Sequence, residues 1–158
     1  MDTPESSGPA LSPLERAIVL AVHAHAGQCD DDGSPYILHP LRVMCSLARP
    51  ASAAQRMAAV LHDTLEQTAL TADDLLQAGI PAEVVEAVQI LTRPAHESRL
   101  SATQRAARHP IARAVKRADI LDNMDLSRIP NPQPQDFARL QEYRQALAML
   151  EAVTGDAQ

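Results

Sequence analysis

His62 and Asp63, a neighbouring imidazole and carboxylate, are the residues of this chain best suited to chemistry. Inside a helix, adjacent side chains point about 100° apart. The two can share one ion only if further ligands arrive from other segments. His39, in Tyr36-Ile37-Leu38-His39-Pro40, and Asp119, in Val115-Lys116-Arg117-Ala118-Asp119, are the candidates. Two imidazoles and two carboxylates with positions left open suit Mn²⁺, Fe²⁺ or Zn²⁺, with an octahedral hard ion favoured. Neither Cys29 nor Cys45 takes part.

The elements that must position these residues are helical. Ser12-Pro13 reads as an N-cap and first helical position, with Glu15 in the first turn, and this helix runs to about Ala26 before Gly27 stops it. Residues 29–35 form a loop with three consecutive aspartates. His39-Pro40 opens a second helix, with His39 at the cap and its backbone limited to extended conformations by the proline that follows. A third helix follows Ser52 and carries Met57, Val60, Leu61, Thr64 and Leu65 on one side. Thr71 to Asp74 resembles a capping box opening a short helix closed by Gly79. Pro81 starts a fifth helix, which Arg93-Pro94 breaks. Glu97 to Arg108 is a weaker helical segment, and His109-Pro110 precedes a helix from about Ile111 to Ser127. Proline-rich residues 129–135 separate it from a last helix that Asp136 caps and that reaches about Val153. The expectation is an all-α fold of about eight helices and no sheet: a disordered tail over 1–10, one domain over 11–154 and a tail over 155–158.

On the wheel of the third helix, His62, Asp63 and Glu66 share an arc opposite Met57, Val60, Leu61 and Leu65, with small Ala59 in its middle. Periodicity alone makes such an arc a solvated face. A matching pattern on another helix argues for a cleft: Lys116, Asp119 and Asn123 lie at i, i+3 and i+7 beside the apolar stripe of Ile111, Val115 and Ala118. His23, His25, His96 and His109 lack comparable partners; His25 reads as structural or peripheral, His96 and His109 as loop residues.

Four fragments recur in a telling order: Ala24-His25-Ala26-Gly27-Gln28, then Gly33 to Pro40, then Leu61-His62-Asp63-Thr64-Leu65-Glu66-Gln67-Thr68, then Lys116 to Met124. Together they resemble the HD-domain hydrolase module of RelA/SpoT-type alarmone enzymes, particularly its small stand-alone members, from roughly Leu14 to the last helix. The resemblance implies a single all-helical HD-domain bundle that binds Mn²⁺ through His39, His62, Asp63 and Asp119. It also implies removal of the 3′-pyrophosphate of guanosine tetra- and pentaphosphate.

In that mechanism the ion polarises a phosphoryl oxygen and lowers the pKa of a water, which Glu66 orients or deprotonates. Lys116, Asn123 and Tyr36 are candidates for holding the nucleotide. The family carries a Glu-Asp pair after its His-Asp motif; here the second residue is Gln67, which hydrogen-bonds but cannot accept a proton. The family also carries an Arg-Lys pair in the loop before its Gly-Pro-Tyr motif, where this chain has Asp30 and Asp31, with Asp32 following. Two unit charges at 4 Å interact by about 4 kcal/mol at an effective dielectric of 20, and by less in an exposed loop. Either the aspartates repel a polyphosphate or the loop swings into solvent. Arg99 and Arg105 are candidate replacements for the missing positive charge. Three readings therefore stand: an alarmone hydrolase, a hydrolase of another nucleotide or phosphorylated cofactor, and a non-catalytic nucleotide-binding module of the same fold.

Bulk properties set outer bounds. At 158 residues the chain fits one domain with a real core, and 46% apolar residues exceed the level of a disordered protein. Only 2% are aromatic, so the core must be aliphatic, which favours packed helices over a sheet. A net charge of −6 opposes non-specific nucleic-acid binding. No basic region followed by an apolar run marks a signal peptide, no stretch approaches the roughly 20 apolar residues of a membrane span, and two cysteines make no disulfide framework. A reduced, cytoplasmic protein is expected, acting on a small-molecule nucleotide, with its oligomeric state open.

Overall fold

A computed structural model describes residues 8–155, and side-chain environments through residue 153; of the tails expected at 1–10 and 155–158, residues 1–7 and 156–158 lie outside the described residues, and Gly155 belongs to the last helix. Residues 8–10 are exposed and outside any helix. Nine α-helices, the fourth a single turn, follow among the described residues: α1 (Pro13–Ala24), α2 (Leu38–Cys45), α3 (Ala53–Leu61), α4 (Thr64–Gln67), α5 (Ala72–Gln77), α6 (Ala82–Leu91), α7 (Arg99–Ala107), α8 (Pro110–Asn123) and α9 (Pro134–Gly155). A single 3₁₀ turn spans Leu126–Arg128. No strand occurs among the described residues; one isolated bridge pairs Cys29 with Pro35 across the aspartate loop.

The helix starts follow local chemistry. Ser12 and Glu15, Ser52 and Gln55, and Thr71 and Asp74 form three reciprocal capping boxes. Gly27 and Gly79, with φ of +80° and +84°, end α1 and α5 in the left-handed conformation that glycine adopts without penalty.

Helix α3 is the axis of the bundle, touching α1, α2, α6 and α8. Its Val60 and Leu61 are fully buried with Val43, Leu75, Val84, Val88 and Val115, an aliphatic core as the composition requires. A second cluster of Ala107, Ile120, Tyr143, Ala146 and Leu150 fastens α9 to α7 and α8. No helix among the described residues is long and apolar enough to cross a membrane. Cys29 and Cys45 are both free and exposed.

Four local expectations are corrected. The third helix does not run through His62 and Asp63: α3 ends at Leu61 and a separate turn, α4, begins at Thr64. The buried Thr64 hydroxyl donates to the Leu61 carbonyl at 2.7 Å, satisfying a group that a continuous helix would have bonded. His39 is not an extended cap. It is the second residue of α2, with Pro40 third; the first-turn N–H groups of a helix have no intrahelical partner, so proline is tolerated there. Helix α8 stops at Asn123, four residues early, as the Arg128 guanidinium takes the Asp122 carbonyl at 2.8 Å. Helix α9 begins at Pro134, within the stretch expected to be non-helical. Asp136 lies inside its first turn, its carboxylate accepting from the Gln133 N–H at 2.7 Å.

Candidate metal centre and its cleft

The break after Leu61 makes the site. His62 is the C-cap of α3 and Asp63 the N-cap of α4, both with right-handed helical backbone angles, so the pair forms the joint between the two elements. Their atoms meet: His62 Nε2 lies 3.1 Å from Asp63 Oδ2. Helix α2 brings His39, whose Nε2 is 3.6 Å from the same Asp63 oxygen. Helix α8 brings Asp119, whose Oδ1 is 3.2 Å from His39 Nε2 and 3.5 Å from His62 Nε2. Four side chains from distant parts of the chain converge on one point. Three of them, His39, His62 and Asp119, are buried, with ligand atoms all within 4.8 Å of one another. That group could hold a divalent metal ion.

The hydrogen bonds behind the rings decide which nitrogens are available. His62 Nδ1 is 2.7 Å from the Ala59 carbonyl, which can only accept, so Nδ1 carries the proton. Its Nε2 is buried with no hydrogen-bond partner. His39 Nδ1 is 2.7 Å from Asp122 Oδ2, again a donor facing an acceptor. Both neutral rings would direct an Nε2 lone pair into the same space, as imidazole ligation needs. Asp63 accepts from the Tyr36 hydroxyl at 2.6 Å, and that hydroxyl accepts from Gln67 Nε2 at 3.0 Å. Asp119 accepts from Asn123 Nδ2 at 2.8 Å and from Lys116 Nζ at 3.3 Å.

These contacts set the charge states of the metal-free site. Burial alone would lower the His39 pKa, but hydrogen bonds to Asp119 and Asp122 outweigh it and raise the value to about 8. His62 is buried as well, yet the Asp63 and Asp119 carboxylates push it well above its ordinary value. The carboxylates move the other way. Asp119 overcomes its burial through Lys116 and the two rings and lies well below the carboxylate range, and Asp63 is lowered chiefly by His62. Burial and the neighbouring Asp63 push the Tyr36 phenol far up, so it remains a donor.

The four atoms open into a cleft of about 190 Å³ lined also by Glu66, Gln67, Arg93, Arg99, Lys116, Asn123 and Tyr143. Glu66 Oε1 accepts from the Arg93 N–H at 2.8 Å, fixing the carboxylate at the rim. Every residue that sequence reasoning placed at the site is therefore found here except Asp30 and Asp31. Those two line a smaller depression with Asp32, Asp125, Arg128 and Arg139. It shares Asn123 and Tyr143 with the cleft, so the loop stands beside the metal centre. Arg99 lines the cleft but is engaged by Glu142 at 3.1 Å and by the Tyr143 ring. Arg105 does not line it: its guanidinium is spent on Glu97 and on the Ile90 and Thr92 carbonyls. His25 is buried and hydrogen-bonds Gln28, its ring 5.1 Å from that of Tyr36. Sequence reasoning missed Asp122, Arg42 and Arg128. The available signal was that Asp122 follows Asp119 by three residues on one helix face, as Arg42 follows His39.

Comparisons with known proteins place the chain. Guanosine-3′,5′-bis(diphosphate) 3′-pyrophosphohydrolase MESH1 from Homo sapiens is 36% identical over 86% of this chain and 81% of its own length; the Mus musculus protein of that name is 34% identical over the same shares. The bifunctional (p)ppGpp synthase/hydrolase SpoT of Escherichia coli is 41% identical over 51% of this chain, and the match spans only 12% of that longer protein. A solved structure described as a metazoan ortholog of SpoT that hydrolyzes ppGpp superposes with a TM-score of 0.74, covering 91% of this chain and 88% of its own at 21% identity, a likeness of fold. The profile of the HD domain matches residues 17–153, a span that takes in every residue of the cleft, and the chain belongs to the HD-domain family.

Proposed function

We propose that this chain is a metal-dependent phosphohydrolase of alarmone turnover. In this reading residues 11–154 act as one domain in the cytoplasm and remove the 3′-pyrophosphate of guanosine 3′,5′-bis(diphosphate) with Mn²⁺ as the ion. The observation that carries the reading is the convergence of His39, His62 and Asp119 with both ring Nδ1 atoms already engaged. Mixed imidazole and carboxylate donors fit a divalent transition ion, and the buried His62 Nε2, once neutral, presents a lone pair beside two carboxylates, a combination that a cation satisfies. The names of the MESH1 relatives supply the substrate.

His39, His62 and Asp119, with Asp63 beside them, would hold the ion, and Tyr36 fixes Asp63 by donating to its Oδ2. When bound, the ion supplies Lewis-acid polarisation of a phosphoryl oxygen and a water of lowered pKa. Glu66, anchored through Oε1 by the Arg93 N–H, directs its carboxylate into the cleft as general base for the attacking water. Gln67 cannot share that task; it holds the Tyr36 hydroxyl in place. Lys116, Arg93 and Arg99 bring positive charge to the cleft for phosphate, and Asn123, on the border with the second depression, faces the nucleotide. One observation favours a second reading, a nucleotide or phosphorylated cofactor of lower charge: four aspartates, Asp30, Asp31, Asp32 and Asp125, outnumber two arginines, Arg128 and Arg139, in the space next to the cleft, where a second pyrophosphate would meet them.

The test is a turnover screen with Mn²⁺. The expected result is release of pyrophosphate and guanosine 5′-diphosphate from the tetraphosphate, abolished by a chelator and restored by Mn²⁺. No release from the tetraphosphate alongside hydrolysis of a less charged nucleotide would replace the first reading by the second.

A further inference from the structure

We infer that Asp122 is the positioning residue of His39: its carboxylate, clamped by Arg42 and Arg128, keeps the ring proton on Nδ1 and turns Nε2 toward the point that His62 and Asp119 also face. The inference rests on the metal reading above and extends it to a residue that does not line the cleft.

Helix α8 grips both edges of the one ring. Asp119 Oδ1 stands 3.2 Å from His39 Nε2, and Asp122 Oδ2, one helical turn further on, stands 2.7 Å from Nδ1. The imidazole has no rotational freedom left between them. Asp122 is in turn held by two guanidinium groups. Arg42, three residues past His39 on α2, donates Nε to Oδ1 at 2.9 Å and a terminal nitrogen to Oδ2 at 3.2 Å, the two-pronged geometry that fits a carboxylate. Arg128 approaches Oδ2 at 3.4 Å while bonding the Asp122 backbone carbonyl at 2.8 Å. With two cations beside it and only 11% of its side chain exposed, Asp122 is an ionised acceptor. The ring must then donate from Nδ1, which leaves Nε2 as the ligand atom. His62 reaches the same state through the Ala59 carbonyl, a backbone partner that no substitution removes. The two ligands are thus oriented by different means, and only one depends on a side chain. Carboxylate partners behind metal-bound imidazoles raise ligand basicity and fix the tautomer, and losing one commonly costs about 10–100-fold in metal affinity.

Two measurements test it. Titration calorimetry with Mn²⁺ alone is expected to show Asp122→Asn binding about 10–100-fold more weakly than the unchanged chain; equal affinity overturns the inference. Long-range ¹H–¹⁵N NMR on the unchanged, metal-free chain at about pH 9.5, where an imidazole of this kind is neutral, is expected to find the His39 proton on Nδ1. A proton on Nε2 overturns the inference, and this readout needs no variant to fold. In Asp122→Asn the proton is expected to divide between the two nitrogens, which a loss of packing alone would not cause. If the unchanged chain binds no Mn²⁺, the metal reading fails, and the ring-proton measurement still decides the role of Asp122.

Discussion

Metal binding to this site is expected to be strongly coupled to protons, and the coupling can be worked out from the geometry. Imidazole ligates only when neutral, so each charged ring must lose a proton when an ion enters. In the metal-free protein His39 titrates at about 8 and His62 well above its ordinary value, both held charged by carboxylates they face. At pH 7 a group with a pKa of about 8 is ~90% protonated, so His39 alone releases about 0.9 proton per ion bound, and His62, shifted in the same direction, adds to that. Two unperturbed histidines, titrating near 6.5, would release only about 0.5 together. Asp63 and Asp119 add nothing, because both are held below the ordinary carboxylate range and are already ionised. Lowering the pH from 7 to 6 should therefore weaken binding by more than the roughly tenfold, about 1.3 kcal/mol, that His39 alone accounts for. Calorimetric titration with Mn²⁺ in buffers of different ionisation enthalpy measures the proton number directly, as the slope of observed heat against buffer heat. A slope near 0.5 would show that the rings are not held charged, and the assigned convergence of carboxylates on them would be wrong.

Further outcomes are expected. Asp63→Ala should abolish Mn²⁺ binding in calorimetry while circular dichroism shows the helices intact, since its partners lie in the cleft and not in the core; full occupancy would remove Asp63 from the ligand set. Glu66→Gln should keep the ion but lower kcat by about 10²–10⁴-fold, the usual worth of general-base catalysis; an unchanged kcat would remove Glu66 from the mechanism. Replacing Asp30 by Arg and Asp31 by Lys should lower KM for guanosine tetraphosphate more than for a mononucleotide, with the gain shrinking as salt is added; equal responses would mean that the loop does not sense the second pyrophosphate. The metal-free protein should lose stability as pH rises. The folded His39 pKa of about 8 exceeds its ordinary 6.5, so the stabilisation is complete below 6.5 and gone above 8, a loss of up to about 2 kcal/mol in denaturant titration. Constant stability across that window would contradict the assigned partners of His39.

The helical plan was legible because its signals are local. Capping pairs such as Ser12 with Glu15 and Thr71 with Asp74 operate over three residues, and the sequence displays them directly. The break at His62-Asp63 is different. The apolar spacing of Met57, Val60, Leu61, Thr64 and Leu65 continues in register across it, and periodicity cannot see an interruption that keeps the same side buried. What interrupts the helix is a buried threonine hydroxyl bonding backward to Leu61, a choice that tertiary burial makes. The position of His39 was misjudged for a related reason. A proline disfavours a helical residue before it, but in the first turn no hydrogen bond is lost, and that small penalty yields to the packing of α2 on α3 and α8.

The ligand residues could be named from their types and order, whereas the groups that hold them could not. His39 and Asp122 lie 83 residues apart, and no local pattern pairs them. The bond matters because of what a metal-free site must tolerate. Asp63, Asp119 and Asp122 place three carboxylates around two imidazoles, largely out of water, and buried charge of one sign is costly. Protonated His39 and His62 supply two positive charges where a divalent ion would supply the same number. Arg42 and Arg128 balance Asp122, and Lys116 balances Asp119. The site therefore keeps nearly the same charge with or without its ion, and exchanging two protons for one divalent cation leaves no uncompensated carboxylate behind. Such a balance lets α2, α3 and α8 hold the ligands close together before the ion arrives.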